Sequence, residues 1–229
     1  MARKQHCNAT LSKREWQDDY WLLLMHQYLR KPVGIKPTYC KSMVDLSLEL
    51  HIPPQELHER LGDIARLRTP RIERIWKEYS NNPRRLSRAV QLLRNMTGFN
   101  SGGDFFSGVE VQETFERDFR PLQADARLTP VMLILILDLY FRLTPVTMET
   151  GTPEVQELAR LLHIPTATVV DVLGIFQRCD PQLRRRQSTQ SALLAPCQDI
   201  WRRFGNDDTV RLADYAEELK AYFSQRRER

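Results

Sequence analysis

Asp45-Leu-Ser-Leu-Glu-Leu-His-Ile-Pro53 and Glu157-Leu-Ala-Arg-Leu-Leu-His-Ile-Pro165 lie 112 residues apart and share Leu-His-Ile-Pro unchanged. The likeness spreads outward from this pair. Upstream, Tyr28-Leu-Arg matches Tyr140-Phe-Arg, and downstream Leu57 and Leu61-Gly62 match Val169 and Leu173-Gly174. After a longer insertion in the second stretch, Ile75-Trp-Lys-Glu-Tyr-Ser-Asn-Asn aligns with Ile200-Trp-Arg-Arg-Phe-Gly-Asn-Asp, and Arg85-Leu86 with Arg211-Leu212. Internal self-similarity of this kind marks a repeated structural unit. The expected organisation is two copies of one unit, over residues 12–97 and 128–225.

Each copy has helical periodicity. Trp16, Tyr20, Leu23, Leu24 and Tyr28 fall on one face of a first helix. Its counterpart opens with Thr129 as cap and Pro130 at the first helical position and runs over 131–141. A second helix spans 41–50 (153–162 in the later copy) and stops at His-Ile-Pro, because proline cannot donate into a continuing helix. A third follows at 55–67 or 167–178. Pro70 permits a fourth helix, and Asn82-Pro83 start a fifth that reaches Asn95. No stretch alternates as a sheet requires, so the fold class is all-α: a tandem repeat of two helical bundles. Residues 1–99 form the first bundle, 100–127 a linker that is Gly/Ser-rich and then acidic, and 128–229 the second bundle. In the linker, Thr97-Gly-Phe-Asn-Ser-Gly-Gly-Asp104 marks the boundary, and the spacing of Val111, Phe115 and Phe119 favours a short helix over a strand.

Two short helices joined by a tight turn, with apolar residues at fixed places, are the sequence form of a helix-turn-helix. Leu46, Leu50, Ile52, Leu57 and Leu61 take those places in the first copy, and Leu158, Leu162, Ile164, Val169 and Leu173 in the second. Ser47 and Ala159 are the small residues where the helices cross. The stretch from Gly151 to Pro181, with Leu139-Tyr-Phe-Arg142 before it, resembles the helical module found ahead of HNH endonuclease domains in bacterial proteins. That resemblance covers about 45 residues per copy, rests on the Leu-Tyr start, the helix-turn-helix and the closing Asp180-Pro181, and implies DNA binding. Gly174-Ile175-Phe176 stands where the family has Leu-x-Asn-Phe.

Charge is unevenly spread. Residues 1–99 carry 18 Lys/Arg against 10 Asp/Glu, 100–127 carry 3 against 6, and 128–229 carry 13 against 13. A polyanionic partner is therefore expected on the first copy. The candidate nucleic-acid-binding residues are Gln55, His58, Arg60 and Arg66 on the third helix, then Arg68, Arg71, Arg74, Lys77, Arg84, Arg85 and Arg88, with Arg94 beyond them. Glu56, Glu59 and Asp63 share the third helix and repel phosphate. A solvated helical face is the plain alternative for the arginines. The equivalent helix of the second copy offers Thr166, Thr168 and Asp171 among Val170, Val172 and Ile175, which suits a buried or protein-facing role. Val131-Met-Leu-Ile-Leu-Ile-Leu137 is apolar all round and must be covered by the other copy or by a second subunit. Trp76 and Trp201 hold equivalent places and are read as core residues rather than base-stacking ones. His51 and His163 are read as turn residues. Arg184-Arg-Arg186 and the C-terminal Gln225-Arg-Arg-Glu-Arg229 are read as solvated segments.

Other classes lose ground on simple grounds. The five histidines lie before residue 164 with no ββα nuclease pattern around them. No Gly-rich phosphate loop, Ser/His/Asp order or paired-carboxylate motif stands out, so the expectation is no enzyme and no cofactor or metal. Cys7, Cys40, Cys179 and Cys197 are far apart with no CxxC, the longest apolar run is far short of a membrane span, and no signal peptide is visible. The expectation is a cytoplasmic DNA-binding or transcription-regulatory protein whose second copy packs, homodimerises or recruits a protein partner. The alternative is an adaptor in which both units have become protein–protein modules.

Overall fold

A computed structural model of the 229-residue chain describes residues 16–96, 99, 114–183, 191–206 and 208–224. All regular elements among these residues are helical. In chain order they are α1 (Tyr20–Leu29), α2 (Lys41–Leu50), α3 (Pro54–Ala65), α4 (Pro70–Tyr79), α5 (Pro83–Arg94) and α6 (Thr114–Asp118). Then come α7 (Pro130–Arg142), α8 (Pro153–Leu162), α9 (Thr166–Cys179), α10 (Leu194–Ile200) and α11 (Thr209–Ser224). The stretches 100–113, 184–190 and 225–229, which carry most of the Gly/Ser boundary, the Arg184–Arg186 run and the basic C-terminus, lie outside the described residues.

Proline sets five of the eleven α-helix starts among the described residues. Pro54, Pro70, Pro83, Pro130 and Pro153 each occupy the opening turn of their helix. The missing amide there would have had no intrahelical partner anyway. Thr69 and Thr129 complete two of these starts, each hydroxyl accepting a backbone amide, from Ile72 and Met132. One start differs from expectation. Trp16 precedes α1, which begins only after Asp18-Asp19, and its ring packs back across Tyr20 and Trp21 at 5.5 and 4.8 Å. Two adjacent carboxylates favour a helix N-terminus at that point, leaving Trp16 as a lid on the first turn.

The helices that flank the two His-Ile-Pro turns keep the spacing of 112 residues. Both α2 and α8 end on a left-handed histidine, His51 at φ 56° and His163 at φ 57°. The following isoleucine amide donates to the same carbonyl in each, Ile52 to Ser47 at 3.2 Å and Ile164 to Ala159 at 3.1 Å. A left-handed C-terminal residue with this pattern is a standard way to satisfy the last carbonyls of a helix. Ser47 and Ala159 are both buried, and the Ser47 hydroxyl donates to the Ile52 carbonyl at 2.5 Å. The axes of α8 and α9 meet at 110°. The aromatic pairs also agree: Tyr28 meets Trp76 edge-on at 5.8 Å and 72°, and Tyr140 meets Trp201 at 5.7 Å and 74°.

Two apolar clusters hold the chain. The first gathers α1–α5 around Leu24, Met43, Leu50, Leu57 and Leu61. The second is built round α7, on which every residue from Pro130 to Tyr140 is buried. Neither the other copy nor a second subunit is needed to cover that helix. Its neighbours are α8–α11 of the same half, with α6 at one end, and five surrounding elements leave no face open. Tyr39 and Val44 of the first half pack into the second cluster, joining the two halves where α2 meets α11.

Asp138 is the polar exception on α7. It is 4% exposed and accepts from Arg142 at 2.7 Å. Desolvation raises its pKa above the ordinary carboxylate value, against the opposing pull of Arg142 and Lys220. A raised folded-state pKa means the ionised form is disfavoured in the fold, so stability is lost as pH rises from the ordinary carboxylate value of about 3.9 through the raised folded-state value. Asp138→Asn is therefore expected to raise the melting temperature at pH 7 and to change it little at pH 3. A larger loss at pH 7 than at pH 3 would show that the Arg142 pair outweighs burial.

The acidic linker is a strap rather than a solvated spacer. Glu116 and Asp118 on α6 are each 3% exposed. Glu116 holds His51 at 2.7 Å and Arg120 at 3.2 Å, and Asp118 holds Arg203 through two contacts of 2.8 and 2.6 Å. One end of α6 thus grips the turn of the first half and the other grips the second half. Charge alone gives no signal for this, because buried and solvated carboxylates look alike in sequence.

No single helix among the described residues is long and apolar enough to cross a membrane. Among the same residues no group of three or more His, Cys, Asp or Glu is placed to hold a metal ion.

Candidate nucleic-acid interface

The outer face of α3 is largely occupied by contacts within the chain. Gln55 donates to the Tyr39 hydroxyl, and the His58 Nδ1 lies 2.9 Å from the Lys36 carbonyl. Arg60 pairs with Glu56 at 3.0 Å and lays its guanidinium over the Trp16 ring at 4.0 Å. Stacking and pairing together fix this side chain, which suits arginine's planar charge. Arg68 is paired with Asp63 at 3.0 Å. Of the charged side chains on α3 and just beyond it, Arg66 and Glu59 remain exposed with opposite signs. A helix with these commitments has few groups left to meet base edges.

The free cations lie one hairpin further on. Residues 70–96 hold seven Lys/Arg and two Glu, a net of +5 that equals the formal charge of the whole chain. On α5 the buried residues are Leu86, Val90 and Leu93, so the opposite side is the solvent face. Along that face run Arg84, Arg88, Gln91 and Asn95, at steps of i, i+4, i+7 and i+11, all exposed. α5 carries no carboxylate at all. On α4, Arg74 and Lys77 point away from the buried Ile72 and Ile75 and are exposed, with Glu73 and Glu78 beside them. Among the described residues, the only hydrogen bond to these four cations is the one from Arg74 to the carbonyl of its own helix at Pro70, 3.4 Å away.

The remaining candidates are partly neutralised. Arg71 sits 4.0 Å from Asp18, and Arg85 pairs with Glu78 at 2.7 Å while lying over the Tyr79 ring. Arg94 makes a two-pronged bond to Glu49, with both contacts at 2.7 Å. The structure thus separates the sequence candidates into three groups. Gln55, His58 and Arg60 serve the fold; Arg68, Arg71, Arg85 and Arg94 are shared with carboxylates; Arg66, Arg74, Lys77, Arg84 and Arg88 face solvent. Gln91 and Asn95 were not singled out from sequence. Their signal is the helical register they share with Arg84 and Arg88.

In the second half, Val172 and Ile175 of α9 are buried in the bundle. The apolar face that suggested a protein-docking helix is therefore spent on the core. Trp201 is buried against Tyr140, Phe141 and Phe176, which leaves its ring no face for a base, and Trp76 is half-buried against Tyr28.

Comparison with protein-family models, with curated proteins and with solved structures finds no significant match to this chain.

Proposed function

We propose that this chain is a non-enzymatic nucleic-acid-binding protein that holds duplex DNA through the α4–α5 hairpin. The observation that carries the reading is the solvent face of α5, where Arg84, Arg88, Gln91 and Asn95 line up with no carboxylate on the helix. Arg74 and Lys77 extend the cationic surface onto α4. Clustered exposed cations bind the phosphate backbone with release of counterions, and amide side chains beside them can reach sugar or base edges.

The same proposal takes the chain as two copies of one helix-turn-helix unit, of the kind the sequence resemblance implies. Matching helix boundaries, left-handed histidines and Tyr–Trp pairs support that reading. In the first copy α3 would then act as a structural helix and α5 as the nucleic-acid-facing one. The second copy and the strap would hold the first in place. A cytoplasmic location and a regulatory role belong to this proposal.

The adaptor alternative keeps one observation. Leu92 and Met96, one turn apart near the end of α5, are 62% and 61% exposed. A polar helix seldom leaves two such side chains in water without a partner nearby.

Fluorescence anisotropy with labelled random-sequence duplex, single-stranded DNA and duplex RNA tests the reading. Saturable duplex DNA binding in the micromolar range or tighter at low salt is expected. No saturable binding of any of the three would overturn it and leave the adaptor reading.

A further inference from the structure

The strap and the second half border an open cleft of about 690 Å³ that the nucleic-acid reading does not use. Its rim is cationic. Arg117 and Arg120 enter from the strap, and Arg202 and Arg203 from the π-helical turn at Trp201–Gly205 that follows α10. Arg203 is committed to Asp118, and Arg120 reaches Glu116. The other two share one carboxylate: Asp199 lies 3.1 Å from Arg117 and 3.8 Å from Arg202. The rim therefore has one guanidinium more than the carboxylates that face it. Arg202 is the least engaged, with its side chain 76% exposed.

Behind the rim, apolar side chains supply part of the walls, with Gln123 among them. Pro121, Leu122 and Leu133 form one side, and Ala195, Pro196 and Ile200 the other. Leu133 and Ile200 are buried and form the floor. Among the described residues, no aromatic ring lines the cleft. Small-molecule sites typically have volumes of about 300–1,000 Å³ with a few convergent polar groups, and this cleft has that volume and those groups on a lining more polar than most such sites.

We propose that the cleft binds a small organic phosphate, its phosphate at the arginine rim and a compact apolar body against the proline and leucine walls. Arginine forks match phosphate oxygens in pairs, and a phosphate offers three oxygens to the converging donors where a carboxylate offers two. The volume far exceeds a bare phosphate, and the apolar part of the walls rewards an attached organic group with burial. This inference is independent of the nucleic-acid reading, since it uses none of the α4–α5 residues.

Isothermal titration calorimetry of the full chain with phenyl phosphate and with inorganic phosphate tests it. Phenyl phosphate should bind one per chain and at least about tenfold more tightly than inorganic phosphate. Arg202→Gln should weaken phenyl phosphate at least about tenfold, the loss expected when one charge-assisted bond is removed. Ala195→Phe, at an exposed wall position, should weaken it similarly by filling the space. Both variants should melt within a degree or two of the unmodified chain, because neither residue is buried. A parallel titration with duplex DNA separates the two phosphate sources: Arg202→Gln should leave duplex affinity within twofold. Absent saturable binding of phenyl phosphate, equal affinity of the two probes, or equal affinity in the unmodified chain and Arg202→Gln would each overturn the proposal. So would an Arg202→Gln loss as large for duplex as for phenyl phosphate, which would assign the arginine to nucleic acid.

Discussion

Changing Arg74, Arg84 and Arg88 together to glutamate is expected to weaken duplex DNA binding at least about 100-fold at low salt. Exposed charge-assisted contacts contribute on the order of 1 kcal/mol each once solvent competition is allowed for, so three lost contacts amount to about 3 kcal/mol, or roughly 100-fold. Reversal adds repulsion where removal would only subtract attraction. The three side chains are exposed and hold up no other element, and surface substitutions of this kind normally change stability by less than about 0.5 kcal/mol. Circular dichroism should therefore show an unchanged fold. Arg160→Glu, an exposed reversal on α8 of the second half, is the matched control and should change affinity by no more than a few-fold through net charge alone. The single reversal Arg88→Glu matches the control in charge, and equal loss in these two variants would mean that DNA senses total charge and not the α5 face.

Trp201→Ala should cost about 3–5 kcal/mol of stability, the range for removing a large buried aromatic side chain. For a chain of this size that lowers the melting temperature by roughly 10 °C. Three rings meet the Trp201 indole, those of Tyr140, Phe141 and Phe176, at 5.7, 5.7 and 6.4 Å. A fourth constraint comes from its own turn. A Cβ placed on Gly205 would sit 2.7 Å from the indole carbons, closer than any ordinary contact. Gly205→Ala should thus destabilise the unmodified chain but add little to Trp201→Ala, because the clashing ring is gone. Two-dimensional thermodynamic cycles read this directly: a coupling of 1 kcal/mol or more between the two positions is expected, and additive losses would show that the glycine serves the backbone instead.

Much of the fold was legible because it depends on local chemistry. Pro130, Pro153 and the two His-Ile-Pro turns mark helix ends that the structure places within a residue or two of expectation. The buried status of Leu46, Leu57, Leu61 and their partners 112 residues later follows from periodicity alone. What stayed hidden depends on distant contacts. Glu116 and Asp118 read as members of an acidic linker, yet each is buried because a cation from another element reaches it, His51 in one case and Arg203 in the other. The π-helical turn at Trp201–Gly205 breaks the otherwise close match with Ile75-Trp76, and no propensity signals it.

The cationic candidates divide for the same reason. Arg60 and Arg88 are equivalent in composition terms, one surface arginine on an amphipathic helix each. Trp16 and Glu56 capture the first, whereas nothing of opposite charge on α5 competes for the second. Sequence reading placed sequence recognition on α3 because the helix-turn-helix pattern directs attention there. The side chains of Gln55, His58 and Arg60 are instead engaged within the chain, a commitment the pattern does not signal.

The salt dependence of duplex binding is the most direct single measurement. If Arg74, Lys77, Arg84 and Arg88 meet about four phosphates, the logarithm of the association constant should fall against the logarithm of salt concentration with a slope of about −3.5. In the triple reversal only Lys77 remains, so the slope should flatten to about −1 or closer to zero. A slope near zero for the unmodified chain, or the same slope in both proteins, contradicts docking through the α4–α5 hairpin.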